Sequence, residues 1–153
     1  MIAYKKVTGS FDLTGKVAIV IGGAGGIGEA TARMYAAKGA KIVIADLKDN
    51  CEEVAASIHE DTGAETFGLK TDVTSQESVD ALISATVAKF GEINILAAMP
   101  GFVDLFRATD IDIKCIEKHI NINAIGVFRV CQAVANQMIR QGKGGKIVCI
   151  TSQ

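Results

Sequence analysis

Short apolar runs alternate along this chain with longer segments whose apolar residues recur at helical spacing. The runs predict β-strands and the helical spacing predicts amphipathic helices between them. The predicted strands cover residues 17–21, 41–45, 65–70, 93–98 and 146–151. The predicted helices cover residues 28–38, 50–62, 75–90 and 113–141. Strands that alternate with helices of this length indicate a parallel sheet with helices on both faces.

Two of these elements lead to definite expectations about burial. In the helix over residues 113–141, six residues form one stripe that we expect to face the core: Ile116, Ile120, Asn123, Val127, Val130 and Val134. The last strand is apolar without interruption, as is typical of a strand inside a parallel sheet. At an edge it would expose unpaired backbone groups beside apolar side chains, so we expect a further segment or a partner chain to cover it.

The turn after the first strand holds five glycines, Gly22, Gly23, Gly25, Gly26 and Gly28. A strand, a glycine-rich turn and a helix together form a site for a pyrophosphate, because the backbone can approach the anion and the helix N-terminus offers free N–H groups. The spacing fits three glycine registers, G-x-G-x-x-G, G-x-x-x-G-x-G and G-x-x-G-x-x-G. The motif is therefore weak without its context.

Asp46 strengthens that context, because it ends the second apolar run. An acid at this point accepts hydrogen bonds from the ribose hydroxyls of a dinucleotide and repels a 2′-phosphate. The glycine turn itself carries no basic residue to offset that repulsion. The plainer alternative is a glycine-rich turn followed by a solvated aspartate.

Right-handed crossovers and a ligand-binding first turn favour the strand order 3-2-1-4-5. The sequence thus predicts an α/β, Rossmann-type, doubly wound parallel sheet, with ligand bound above the carboxyl ends of strands 1 and 4. We assign residues 1–13 to an N-terminal arm and residues 14–153 to one nucleotide-binding domain that is incomplete at its C-terminus. Asp72 lies on the predicted rim, although it could instead cap the turn before the next helix.

Composition narrows the choice of partners and compartment. The net charge of −1 gives no sign of nucleic acid or an anionic membrane as partner, and no apolar run is long enough to span a bilayer. The four cysteines form no C-x-x-C pair or metal-ligand spacing, which indicates reduced thiols in a cytoplasmic protein without a metal site. Cys131 and Cys149 lie in apolar runs, so we expect them to be small core residues.

These motifs, taken in order, resemble the short-chain dehydrogenase/reductase family in its NAD-dependent branch. The resemblance covers the chain from Leu13 to Ser152. It rests on five segments: the Gly22-x-x-x-Gly26-Ile27-Gly28 turn, Asp46, Asp72-Val73, Ile122-Asn123-Ala-Ile-Gly126, and the run from Gly145 to Ser152.

The resemblance implies an oxidoreductase that moves a hydride between NAD and a small alcohol or carbonyl substrate, in a homo-oligomer. It implies catalytic roles for Asn123 and Ser152, although Asn123 could be a structural polar core residue and Ser152 an ordinary strand-end serine. The cofactor-binding residues that it implies are Gly22, Gly26, Ile27, Gly28, Asp46, Asp72, Val73, Ala98 and Gly101.

The chain departs from the family pattern at three places. Ile21 replaces a threonine before the first glycine, and Ala98-Met99-Pro100-Gly101 replaces Asn-Asn-Ala-Gly. The family's Tyr-x-x-x-Lys pair is missing, since neither Tyr4 nor Tyr35 has a lysine four residues later. We therefore expect the 153-residue chain to bind nucleotide but not to turn substrate over. The alternative is a non-catalytic dinucleotide-binding or protein-interaction module.

Overall fold

The computed structural model describes residues 11–151. Residues 1–10 of the predicted arm over residues 1–13 lie outside this range, and so does Ser152. Five parallel strands form one sheet, and the four predicted helical regions connect them. The strands are β1 (Val17–Ile21), β2 (Lys41–Asp46), β3 (Thr66–Lys70), β4 (Ile95–Ala98) and β5 (Lys146–Cys149). The helices are α1 (Gly26–Ala37), α2 (Cys51–Thr62), α3 (Gln76–Phe90), α4 (Ile113–Ile120) and α5 (Val127–Gln141), with a π-helical segment (Asn121–Gly126) between the last two.

The strand order is β3-β2-β1-β4-β5, which confirms the predicted doubly wound sheet. Strand β1 pairs with β2 and β4 in parallel register, so it lies at the centre of the sheet. The carboxyl ends of β1, β2 and β4 therefore meet at one edge, where the topology changes direction.

Side chains of β1 alternate between two apolar cores. Ile19 and Ile21 pack with α3 and α5 on one face, and Ala18 and Val20 pack with α1 and α2 on the other. All five residues of β1 are buried, as the uninterrupted apolar run predicts for a strand covered on both faces. Burial of each isoleucine contributes about 2–3 kcal/mol, so the two cores hold the central strands firmly in place.

The long C-terminal helix differs from its prediction, because it is not α-helical throughout. The π-helical segment Asn121–Gly126 interrupts it. A π turn closes on the fifth residue rather than the fourth and rotates the side chains around the axis, so a stripe drawn at α-helical spacing does not stay on one face. Ile120 is 53% exposed and Asn123 is exposed as well. Val130 and Val134 are buried as predicted. The prediction of a core-facing side chain was wrong at Ile120 and Asn123.

Gly126, the last residue of the π-helical segment, lies in close contact with the chain that follows β3. A Cβ built on Gly126 would lie 2.7 Å from Cγ2 of Val73, which follows β3, and 3.2 Å from the carbonyl oxygen of Asn121. Only a glycine allows this close approach. The segment therefore packs directly against the connection between β3 and α3.

Strand β5 lies at an edge of the sheet and pairs with β4 alone among the described residues. Val148 and Ile150 are 45% and 51% exposed. Cys131 on α5 is half-buried and packs against the core, whereas Cys149 is exposed, so the expectation of a core residue was wrong at Cys149. Cys149 lies on β5, which among the described residues has a neighbouring strand on one side only.

Within residues 11–151, no helix combines the length and the apolar character that crossing a bilayer requires.

Gly68 in β3 provides a test of the packing between β3 and α2. A Cβ on Gly68 would overlap the backbone of Cys51 and Glu52, where α2 begins. We expect Gly68→Ala to lower the free energy of unfolding by about 3 kcal/mol, and the thermal midpoint by about 6–12 °C. Gly101→Ala is the matched control, because a Cβ there meets no described atom within 4 Å. Equal midpoints for the two variants would show that the contact is not rigid.

Candidate functional site

The glycine turn leaves the carboxyl end of β1 and folds back over the sheet. The amides of Gly22 and Gly23 both donate to the carbonyl oxygen of Ala45, at 2.8 and 3.2 Å. A Cβ on Gly28 would overlap the carbonyl oxygen of Gly22, and one on Gly22 would lie 2.5 Å from that of Met99. Gly22 and Gly28 are therefore required by packing, which the sequence registers alone did not show.

Gly26 has a different function, because it faces away from the protein. Its φ is +54°, and a Cβ built on it meets no described atom within 4 Å. Helix α1 begins at this residue, and among the described residues no side chain caps its N-terminal amides. Open space above uncapped amides fits an anionic group such as a pyrophosphate. Ile27 lies beside this opening and is 72% exposed.

Asp46 ends β2 with its carboxylate turned toward the glycine turn. Oδ2 accepts a hydrogen bond from the amide of Ala24 at 3.1 Å, and Oδ1 accepts one from the amide of Lys48 at 3.2 Å. The carboxylate thus braces the turn as well as facing the site. Sequence reasoning gave this residue only a ligand-binding role.

Lys48 is a residue that sequence reasoning missed. A Cβ built on Gly25 would lie 3.2 Å from the Lys48 Nζ atom. The glycine turn carries no basic residue of its own, but this lysine brings a positive charge to it from the connection between β2 and α2. The only sequence signal was its position two residues after Asp46.

Cys51, at the start of α2, is hydrogen-bonded to the connection between β2 and α2. Its thiol donates to the carbonyl oxygens of Lys48 and Asp46, at 3.2 and 3.6 Å. Burial raises the pKa of the Cys51 thiol, which keeps it protonated as a donor. Asp46 and Lys48 therefore lie on a short connection that is fastened at both ends.

Asp72 and Val73 follow β3 and are held by local contacts. Oδ1 of Asp72 accepts from the amide of Thr74 at 2.8 Å and from its hydroxyl at 2.7 Å, which is the turn-capping arrangement. Val73 is 7% exposed, and its carbonyl oxygen accepts from Nη1 of Arg129 at 2.5 Å. Val73 connects the rim to the long helix through Arg129, and the turn-capping alternative for Asp72 describes its contacts.

The segment after β4 begins with buried residues and ends in solvent. Ala98 is fully buried between Ile21 and Cys149 in the sheet, so it supports the rim from behind and presents no surface to a ligand. Met99 packs toward α1, where its sulfur accepts from the hydroxyl of Thr31 at 3.9 Å. Gly101 is exposed at the rim.

Asn123 fixes the next residues of this segment. Its Oδ1 accepts from the amide of Phe102 and its Nδ2 donates to the Phe102 carbonyl oxygen, both at 2.8 Å. Both ends of the side-chain amide are engaged with the backbone. Asn123 is thus a positioning residue for the rim, in a π-helical segment of the kind that often accompanies functional sites.

His119 holds the same loop one turn earlier and was not singled out from the sequence. Its Nε2 accepts from the amide of Asp104 at 3.1 Å, which requires an unprotonated Nε2. Its Nδ1 lies 2.7 Å from the carbonyl oxygen of Cys115, so the proton of the neutral ring is assigned to Nδ1. The Phe102 ring packs edge-on against His119 at 4.8 Å, with the Lys118 ammonium 3.9 Å from its centroid.

The site therefore has a glycine turn with free amides, a carboxylate and an ammonium beside it, and a loop clamped at the rim. Ser152 lies outside the described residues, and its role stays a prediction. Ile150 still donates to the carbonyl oxygen of Ala98 at 3.0 Å, so the chain follows β4 to the same rim. Within residues 11–151, no cluster of three or more His, Cys, Asp or Glu side chains has the geometry of a metal site.

Comparison with known proteins supports this description. The family model for short chain dehydrogenases matches residues 16–153. The chain is 42% identical to the D-threitol dehydrogenase of Mycolicibacterium smegmatis, over 94% of this chain and 55% of that protein. It is 34% identical to the NAD-dependent glycerol dehydrogenase of Listeria innocua, over 99% of this chain and 58% of that protein.

A solved structure agrees in fold as well. The crystal structure of a short-chain type dehydrogenase/reductase from Mycobacterium marinum superimposes with a TM-score of 0.89 at 31% identity, over 93% of this chain and 57% of that one. The chain thus spans somewhat more than half the length of these proteins.

The clamp between Asn123 and Phe102 is directly testable. We expect Asn123→Ala to speed amide hydrogen exchange at Phe102 about thirtyfold, because it removes two hydrogen bonds of about 1 kcal/mol each. Asn136→Ala, on the exposed face of α5, is the control and should leave the exchange unchanged. Unchanged exchange in Asn123→Ala would mean that His119 alone holds the loop.

Proposed function

We propose, since this chain belongs to the short-chain dehydrogenase family, that it forms the nucleotide-binding part of an NAD-dependent oxidoreductase for an alcohol or carbonyl substrate. The observation that carries the proposal is the glycine turn. Its uncapped amides face open space, and Asp46 is hydrogen-bonded to it from the end of β2.

Each part of the turn fits a part of NAD. The uncapped amides from Gly26 to Gly28 would hold the pyrophosphate, where the N-terminus of α1 favours negative charge. Asp46 would accept hydrogen bonds from the adenosine ribose hydroxyls. Val73 would lie near the adenine, and Gly101 near the middle of the cofactor. When bound, the nicotinamide supplies the hydride donor or acceptor.

Charge supports NAD rather than NADP as the cofactor. A 2′-phosphate would add negative charge next to the Asp46 carboxylate. Repulsion between two unit charges about 4 Å apart costs about 1–4 kcal/mol. Lys48 opposes that repulsion only in part, because its ammonium lies beside Gly25, where the turn meets α1. We therefore assign Lys48 to the pyrophosphate side of the site.

Proton transfer to the substrate needs a group that these 153 residues do not supply. Reduction of a carbonyl leaves a developing alkoxide that needs a proton donor of matched pKa. Ser152 could hydrogen-bond the substrate oxygen, but it cannot serve as that donor alone. Tyr35 lies on α1 and packs against the core, and no Tyr-x-x-x-Lys pair stands in the 153 residues. We infer that these residues bind and position, and by themselves do not turn over substrate.

A second candidate function is a non-catalytic dinucleotide-binding or protein-interaction module. Ala98 and Met99 favour it, because they stand after β4 where the family pattern has two side-chain amides and offer a nucleotide no polar side chain. An interaction module without a cofactor would bind no nucleotide, whereas the oxidoreductase part and the dinucleotide-binding module would both bind one.

Calorimetric titration with NADH and NADPH tests the cofactor proposal. We expect NADH to bind more tightly than NADPH. Asp46→Asn should weaken NADH binding about tenfold or more and reduce the difference between the cofactors, because a charge-assisted hydrogen bond and a repulsion both disappear. The isosteric amide can still accept from Ala24, so the turn should keep its shape.

Asp49→Asn is the matched control for this titration. Asp49 is an exposed carboxylate three residues away, paired with Lys70 at 2.6 Å rather than with the glycine turn. It should leave both affinities unchanged. Equal binding of NADH and NADPH by the unaltered chain would refute the NAD assignment, and absence of binding would favour the interaction module.

A further inference from the structure

A largely buried arginine joins α1 to α2. Only 13% of the Arg33 side chain is exposed, and its guanidinium binds three other side chains. Nε and Nη2 donate to Oε1 of Glu29 at 2.9 and 2.8 Å, and Nη1 donates to Oδ2 of Asp61 at 2.6 Å. Nη2 also donates to Oγ of Ser57 at 2.9 Å. Arg33 thus holds one carboxylate of its own helix and two groups of α2.

Glu29 is the partner that concerns the candidate anion site, because it lies in the first turn of α1. Its amide donates to the carbonyl oxygen of Gly25 at 3.2 Å, so the uncapped amides belong to the three residues before it. Glu29 follows Gly26 by three positions, which is about 4.5 Å along a helix axis. A carboxylate there is attracted by the same helix end that would hold a pyrophosphate. Without a partner it would compete with the pyrophosphate and repel it.

The hydrogen bonds from Arg33 oppose both effects. Because Arg33 lies four residues after Glu29, they hold the carboxylate on the C-terminal side of its own turn. They also place a positive charge 2.8 Å from the carboxylate. Two carboxylates and one guanidinium give the group of Glu29, Arg33 and Asp61 a net charge of −1, and loss of the guanidinium would make it −2.

We propose that Arg33 is a positioning residue for the cofactor. It neutralises the Glu29 carboxylate and holds it back from the N-terminus of α1, so that the pyrophosphate of a dinucleotide can bind there. This role rests on the proposed function, because it concerns the same anion site. Arg33 acts through Glu29 in this role, whereas its ion pair with Asp61 serves only to hold α1 to α2.

Calorimetric titration with NADH tests the role of Arg33. Arg33→Met keeps an aliphatic stem but removes the charge and every donor. We expect it to weaken NADH binding about three- to tenfold at about 0.1 M salt, where charges interact over about 10 Å. The loss should shrink to less than about twofold at about 1 M salt, because salt screens the repulsion between Glu29 and the pyrophosphate. The thermal midpoint without nucleotide shows whether each variant is folded.

Two further variants separate this role from a purely structural one. The double variant Glu29→Gln, Arg33→Met lacks the same guanidinium but returns the local charge to −1. We expect it to bind NADH within about twofold of the unaltered chain. Asp61→Asn is the matched control, because it removes the ion pair with α2 and leaves Glu29 paired with Arg33. Its affinity for NADH should be unchanged.

The proposal is overturned if Arg33→Met binds NADH as tightly as the unaltered chain. It is also overturned if the double variant or Asp61→Asn binds as weakly as Arg33→Met, or if Arg33→Met is unfolded without nucleotide. Each of these last results would assign Arg33 to the packing of α1 on α2 alone. Absence of NADH binding by the unaltered chain is a distinct result, because it refutes the cofactor proposal together with this one.

Discussion

The close approach of Gly28 to the carbonyl oxygen of Gly22 is the contact on which the candidate site depends. It brings the start of α1 directly onto the end of β1, and a single methyl group at Gly28 would prevent it. Since helix amides are unsatisfied at this end, the same contact creates the anion site. The carboxylate of Asp46 then holds the turn against β2 through Ala24. The same few backbone atoms thus satisfy both the packing of α1 on β1 and the requirements of an anion site.

The opposite side of the rim depends on an irregular helix. Asn123 lies exposed in the π-helical segment, and both ends of its side-chain amide bind the backbone of Phe102. Gly126 allows the segment to contact Val73, and Arg129 joins it to the carbonyl of the same residue. The loop after β4 and the connection after β3 are therefore attached to one helix.

Stability is unevenly distributed across the sheet. Strands β1 and β2 are buried between two apolar cores, while β5 is half-exposed and bonded on one side. The buried centre carries the glycine turn, and β5 carries the chain toward Ser152.

The sequence by itself determined the strand order and the position of the glycine turn. The strand order follows from right-handed crossovers and the ligand-binding first turn. The position of the glycine turn follows from local periodicity, because Gly22 to Gly28 stand directly after the continuous apolar run of β1. Asp46 could be placed at the rim for the same reason. The family-derived roles of Asn123 and Ser152 identified positions of interest but not their contacts, and Ser152 remains a prediction.

Only the tertiary structure decided which side chains meet across long separations. Lys48 beside Gly25, His119 beside Asp104 and Cys131 beside Cys149 each depend on how neighbouring elements are packed, and no local pattern specifies that. The π-helical segment is a further case, because the close contact between Gly126 at its end and Val73 joins residues from two different elements. Local periodicity sets which faces are apolar; the distances at which elements pack set which polar groups become partners.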